Sequence, residues 1–122
     1  MKVGFIGLGN VGGKLAGSLI RNGVDTYVFD LNADFVAEKV AAGAKDGQSA
    51  ADLMQVCDAV ITCLPTPAAS SAVVQEMLPY VTAGKVWMEM STTDAEEVKR
   101  LSALVIEAGG EAVDCPVSGG CH

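Results

Sequence analysis

Apolar positions along this chain change period several times. Lys2 to Ile6 is a short, nearly continuous apolar run that stops at Gly7. From Val11 onward the apolar positions are Val11, Leu15 and Leu19, with Ala16 and Ile20 beside them. A run followed by a 3.6-residue period predicts a strand passing into a helix across a glycine turn. Asn22-Gly23 supplies the helix stop, and Thr26 to Phe29 predicts a second strand closed by Asp30.

The alternation continues. Ala33 to Ala42 has helical spacing and stops at Gly43, Ala44 to Asp46 makes a minimal strand, and Ser49 can cap a short helix through Val56. Ala59 to Leu64 is the best interior strand, expected in the middle of a sheet covered on both faces. Pro67 to Met77 predicts a helix with proline in its first turn, and Val86 to Met90 a strand. Thr93 or Asp94 can cap the next helix, with Glu96 and Glu97 in its positive first turn. Its inward side is expected to carry Val98, Leu101, Leu104, Val105 and Ala108. Gly109-Gly110 ends it, and Glu111 to Asp114 is the last strand. The expected fold class is α/β: a Rossmann-type, doubly wound, mostly parallel sheet of about six strands with helices on both faces. One domain over residues 1–122 fits this length, and no internal repeat or linker interrupts it.

Composition adds mainly exclusions. Half the residues are hydrophobic and 14 are glycine, which describes a packed domain. The net charge is −7 and the eight bases are scattered along the sequence, so nucleic acid is a poor partner. The four cysteines, Cys57, Cys63, Cys115 and Cys121, form no C-x-x-C pair and fit no zinc spacing. They are expected to be reduced thiols of a cytoplasmic protein without a metal site. The N-terminal run is too short for a membrane span and lacks the pattern of a signal peptide.

The turn after the first strand is Gly7-Leu8-Gly9-Asn10-Val11-Gly12, a G-x-G-x-x-G pattern. In a glycine-rich chain the bare pattern is weak, but here it follows a strand, opens a helix, and precedes Asp30 at the end of the next strand. Gly7 permits the tight turn, Gly9 lets the backbone approach a pyrophosphate, and Gly12 lets helix and strand pack closely. Free N–H groups at the helix start then meet the phosphates. Asp30 can accept both ribose hydroxyls of an adenosine. Against a 2′-phosphate at about 4 Å its charge costs roughly 1 kcal/mol per charge pair in water, and nearer 4 at an effective dielectric of 20. NAD is therefore expected over NADP. Gly12 is followed by Gly13-Lys14-Leu15, which excludes a P-loop.

Asp114-Cys115-Pro116-Val117-Ser118-Gly119-Gly120 follows the last strand, at the sheet end where such folds bind ligands. Ser118, Gly119 and Gly120 offer a hydroxyl and several backbone N–H groups suited to a small carboxylate. With Leu64-Pro65 after the central strand and Met90-Ser91-Thr92 after the next, these motifs and the glycine loop resemble the β-hydroxyacid dehydrogenases over the whole chain. That family includes 3-hydroxyisobutyrate dehydrogenase and tartronate semialdehyde reductase. The resemblance implies an NAD-dependent oxidoreductase acting on a small 3-hydroxy acid. It implies that Leu64 and Pro65 line the cofactor, that Thr92 contacts it near the nicotinamide, and that Ser118, Gly119 and Gly120 hold the substrate carboxylate. It also implies a catalytic lysine on a long helix beyond His122, followed by an all-helical domain that completes the pocket and the dimer. No catalytic residue is therefore assigned within the chain, which is expected to bind cofactor without turning over, and a homo-oligomer is a further expectation. Val11 stands where the family usually has methionine and Ser18 where it often has asparagine, both read as packing changes. Cys121-His122 depart from the residues usual after Ser-Gly-Gly, which leaves the substrate class open. Two alternatives fit the first thirty residues: a stand-alone NAD-sensing module, which leaves Asp114 to Gly120 without a purpose, and an S-adenosylmethionine-dependent methyltransferase, whose loop matches less well.

Overall fold

The computed structural model describes residues 1–90 and 94–114, with the side chain of Asp114 excepted. Six strands form one parallel sheet: β1 (Lys2–Ile6), β2 (Asp25–Phe29), β3 (Lys45–Asp46), β4 (Ala59–Thr62), β5 (Val86–Glu89) and β6 (Glu111–Asp114). Their order is β3-β2-β1-β4-β5-β6, the doubly wound arrangement. The helices are α1 (Asn10–Arg21), α2 (Ala33–Ala41), α3 (Ala50–Val56), α4 (Pro67–Met77) and α5 (Ala95–Glu107).

Alternation along each strand feeds two cores. Phe5 and Val28 pack with Ala16 of α1 and Val36 of α2 on one face. Ile6, Val60 and Trp87 pack with Leu53, Val74 and Leu101 of α3, α4 and α5 on the other. The chain changes face between β3 and β4, so β1 and β4 lie side by side while their following helices cover opposite faces. That is the topological switch point, where open α/β sheets bind their ligands.

Ser49 and Asp94 cap helices as the sequence predicts, and Thr66 is a further cap that it does not single out. Ser49 accepts the Asp52 N–H at 3.0 Å, Thr66 the Ala69 N–H at 3.1 Å, and Asp94 the Glu96 N–H at 2.9 Å. β3 begins at Lys45 rather than Ala44, and other expectations also need correction. β4 stops at Thr62 rather than Leu64, because β1 ends opposite it at Ile6; the Cys63 N–H still donates to the Ile6 carbonyl at 2.9 Å. β5 likewise stops at Glu89. Ala108 is exposed at the C-cap of α5 and does not belong to its inward side. A 3-10 turn at Leu78–Tyr80, which periodicity does not predict, follows α4 where Pro79 removes a helical donor.

Candidate dinucleotide site at the switch point

The glycine loop is shaped by three different constraints. Gly7 has φ of +99°, and a Cβ there would stand 2.2 Å from the Cys63 carbonyl oxygen, so the chain just past β4 leaves no space. A Cβ on Gly12 would lie 1.9 Å from the Gly7 carbonyl oxygen, and this absence of a side chain lets α1 start directly against the turn. Gly9 is different: a Cβ there would meet nothing within 4 Å. Packing among the described residues does not demand glycine at position 9. Open space over its backbone is what an approaching ligand needs.

The Gly7 and Leu8 N–H groups donate to Phe29 and Asp30, and the donors just after them are unpaired among the described residues. Gly9 is the N-cap of α1 and makes no side-chain cap, and the first turn carries no acid. The first helical bond runs from the Gly13 N–H to the Gly9 carbonyl at 2.6 Å. The N–H groups of Gly9, Asn10, Val11 and Gly12 have no hydrogen-bond partner among the described residues. Four unpaired donors at a helix start form an anion site of the kind that holds phosphates.

Asp30 stands at the end of β2 facing the same loop. Its Oδ2 accepts the Leu8 N–H at 2.7 Å and its Oδ1 the Asn32 N–H at 2.8 Å. Leu8 is thus a buried structural tie rather than an open donor. A carboxylate has about four acceptor positions, so each Asp30 oxygen keeps one, enough for two vicinal hydroxyls.

Loop and acid open on one cavity of about 780 Å³ at the switch point. Gly7, Gly9, Asn10, Val11, Gly12 and Asp30 line it, with Leu64 and Pro65 across from them. Val11 is 48% exposed and faces this space, so its difference from methionine alters the cavity wall, not the packing of the core. Ser18 is half-buried on α1, and its carbonyl accepts the Asn22 side-chain amide at 2.7 Å. Sequence reasoning misses Leu31 and Phe35, which are 95% and 37% exposed and line the cavity beyond Asp30. Their signal is a pair of large apolar residues flanking Asn32, the capping residue of α2, where a solvated helix start would be polar. Thr92, Ser118, Gly119 and Gly120 lie outside the described residues, as do Cys115, Cys121 and His122.

Cys63 lines the cavity half-buried, and Cys57 and Glu89 are buried in the protein away from its lining. Burial pushes the Cys57 thiol up to about 11, and burial, with a contribution from the Glu89 charge, raises that of Cys63 on the cavity wall. Neither is a nucleophilic thiolate at neutral pH. Glu89 is fully buried, and its Oε2 accepts the Thr62 hydroxyl at 3.1 Å, while that hydroxyl accepts the Trp87 Nε1–H at 3.0 Å. The sequence signal for this network is an acid between Met88 and Met90 in an otherwise apolar strand.

The family model for the NAD binding domain of 6-phosphogluconate dehydrogenase matches residues 2–122. Rat mitochondrial 3-hydroxyisobutyrate dehydrogenase is 36% identical over 121 residues, covering 97% of this chain and 36% of that protein. Human cytokine-like nuclear factor N-PAC is 31% identical over 121 residues, covering 97% of this chain and 22% of that protein. The Mycobacterium tuberculosis 3-hydroxyisobutyrate dehydrogenase, solved with L-serine, superposes with a TM-score of 0.91 at 28% identity, covering 98% of this chain and 41% of that one. The chain therefore spans well under half the length of each of these relatives. The strand order, the glycine loop and these similarities converge: the chain belongs to the NAD-binding domain family of 6-phosphogluconate dehydrogenase, as an N-terminal domain of the β-hydroxyacid dehydrogenase type.

Proposed function

We propose that this chain is the cofactor-holding part of a dehydrogenase for small 3-hydroxy acids of the 3-hydroxyisobutyrate kind, and that it takes NAD in preference to NADP. The observation that carries the reading is the group of four unpaired N–H donors at Gly9 to Gly12, set beside an Asp30 carboxylate with an acceptor position left on each oxygen. In this reading the donors hold the pyrophosphate and Asp30 holds the adenosine ribose, while Leu64, Pro65, Leu31 and Phe35 wall the adenosine. A 2′-phosphate would bring like charge against Asp30. Bound nicotinamide supplies hydride transfer at its C4; the chain's contribution is orientation of the two ends. The assignments of Thr92 near the nicotinamide and of Ser118, Gly119 and Gly120 at the substrate carboxylate rest on the motifs that contain them. The substrate class is supported by the relatives named 3-hydroxyisobutyrate dehydrogenase. The proton-transferring lysine is assigned to a region outside these 122 residues.

Calorimetric titration of the purified 122-residue chain with NAD, NADP and S-adenosylmethionine tests this. The expected result is one NAD site and at least tenfold weaker NADP, which corresponds to about 1.4 kcal/mol. A preference for NADP would remove the role given to Asp30, and a preference for S-adenosylmethionine would replace the reading altogether. In an assay with NAD and 3-hydroxyisobutyrate the same chain is expected to produce no NADH; steady turnover would show that its own residues suffice.

A further inference from the structure

Adjoining the dinucleotide cavity, with Gly9, Asn10 and Phe35 lining both, lies a second cleft of about 530 Å³ between α1 and α2. The bases are scattered along the sequence, but the fold brings three of the eight, Lys14, Arg21 and Lys39, to this one cleft. Glu38 is the one acid among the described residues that line it. In a chain of net charge −7, that is a local reversal of sign.

The cations are poorly compensated. Lys14 and Arg21 have no ion-pair partner among the described residues. The Lys39 side chain is only 16% exposed, yet its one ion pair is a loose 3.6 Å contact to Glu38, whose side chain is 71% exposed. A cation taken this far out of water is ordinarily held by a close anion. The floor of the cleft explains where the charged heads go. Gly13 and Gly17, one helical turn apart, face α2, and the Lys39 stem passes over Gly13 with its Cε 3.7 Å from where a Cβ would stand. At Gly17 the corresponding point is 3.3 Å from Arg21 Nη1 and 3.7 Å from Lys39 Nζ. Two like charges therefore converge over one glycine, within about 7 Å of each other, where their repulsion would otherwise part them.

We infer that this cleft is a binding site for a small phosphate-bearing anion of at least two negative charges, centred on Gly17 and distinct from the dinucleotide site that it adjoins at Gly9, Asn10 and Phe35. Arg21 offers the planar fork that matches phosphate oxygens, and Lys39 and Lys14 offer point charges from the other walls. Gly17 leaves the space in which the anion sits. An extended polyanion is disfavoured by the chain's net charge of −7, whereas a compact one meets only the cleft.

Inorganic pyrophosphate is the probe, and backbone amide shifts of the 15N-labelled 122-residue chain are the readout. Saturable shifts at Gly13 and Gly17, persisting when NAD is present in excess, are expected. Arg21→Gln, an exposed position, and Arg21→Gln with Lys39→Met, which keeps an apolar stem over Gly13, should each weaken the pyrophosphate response. In the double variant the loss should be tenfold or more, with the NAD titration unaltered. Shifts confined to Gly9 to Gly12 would mean that pyrophosphate uses the dinucleotide loop alone, and would overturn the inference. So would abolition of the Gly17 shifts by NAD, an unaltered response in both variants, or no saturable response in wild type. Failure of NAD to bind would count against the proposed cofactor role and leave the Gly17 readout intact.

Discussion

Glycines 7, 9 and 12 occupy one motif for different reasons, and substitution should separate them. Gly12→Ala forces a Cβ into the Gly7 carbonyl oxygen and should cost about 3 kcal/mol or more by urea unfolding. Gly9→Ala meets open space and should cost about 1 kcal/mol or less, yet weaken NAD binding about tenfold or more. Equal losses of stability at both positions would show that Gly9 serves packing. Asp30→Asn should narrow the NAD-over-NADP preference and lower stability by about 1 kcal/mol, since its amide faces one of the two backbone N–H groups that the carboxylate accepts. Cys57 carries a pH prediction. Its thiol is raised from the ordinary value to about 11 in the folded chain, so the fold holds the proton more tightly than the unfolded chain does. The associated stability is complete below about pH 9 and is lost as pH rises toward 11, amounting to about 2 kcal/mol. Unfolding followed between pH 8 and 11 should show that decline, and Cys57→Ala should flatten it.

Among the elements, caps and helices were the most legible. Ser49 and Asp94 declare helix starts through local hydrogen bonds that need no tertiary context. Strand ends were less legible, because β4 stops where its neighbour β1 runs out, a fact held by another part of the chain. Asp30 could be read as a ligand group from its place after β2, but its two bonds to the Leu8 and Asn32 N–H groups could not, since they depend on how the loop folds back. The clustering of Lys14, Arg21 and Lys39 was equally hidden, because it depends on α1 and α2 packing side by side, which neither segment states alone. The link between β4 and β5 gives this scale its test. Thr62→Val removes the acceptor of the Trp87 indole and one donor to Glu89, and should cost about 1 to 3 kcal/mol. Trp87 is the single tryptophan, so its fluorescence reports both the local change and the unfolding midpoint. A midpoint unaltered from wild type would show that the network contributes nothing net.

At the scale of the whole molecule, function follows from where the winding reverses. Helices α1 and α2 cover one face and α3, α4 and α5 the other, so the ends of β1 and β4 are left open between them. The glycine loop closes one side of that opening, and Leu64-Pro65 the other. The central claim is that the free N–H groups of this loop receive the cofactor's phosphates. Amide shifts of the 15N-labelled chain titrated with NAD test it most directly. The account predicts saturable shifts that are largest at Gly9, Asn10, Val11 and Gly12, with Leu8 moving less because its N–H is already bound to Asp30. Saturable NAD binding with the largest shifts elsewhere, and the Gly9 to Gly12 amides unmoved, would contradict it.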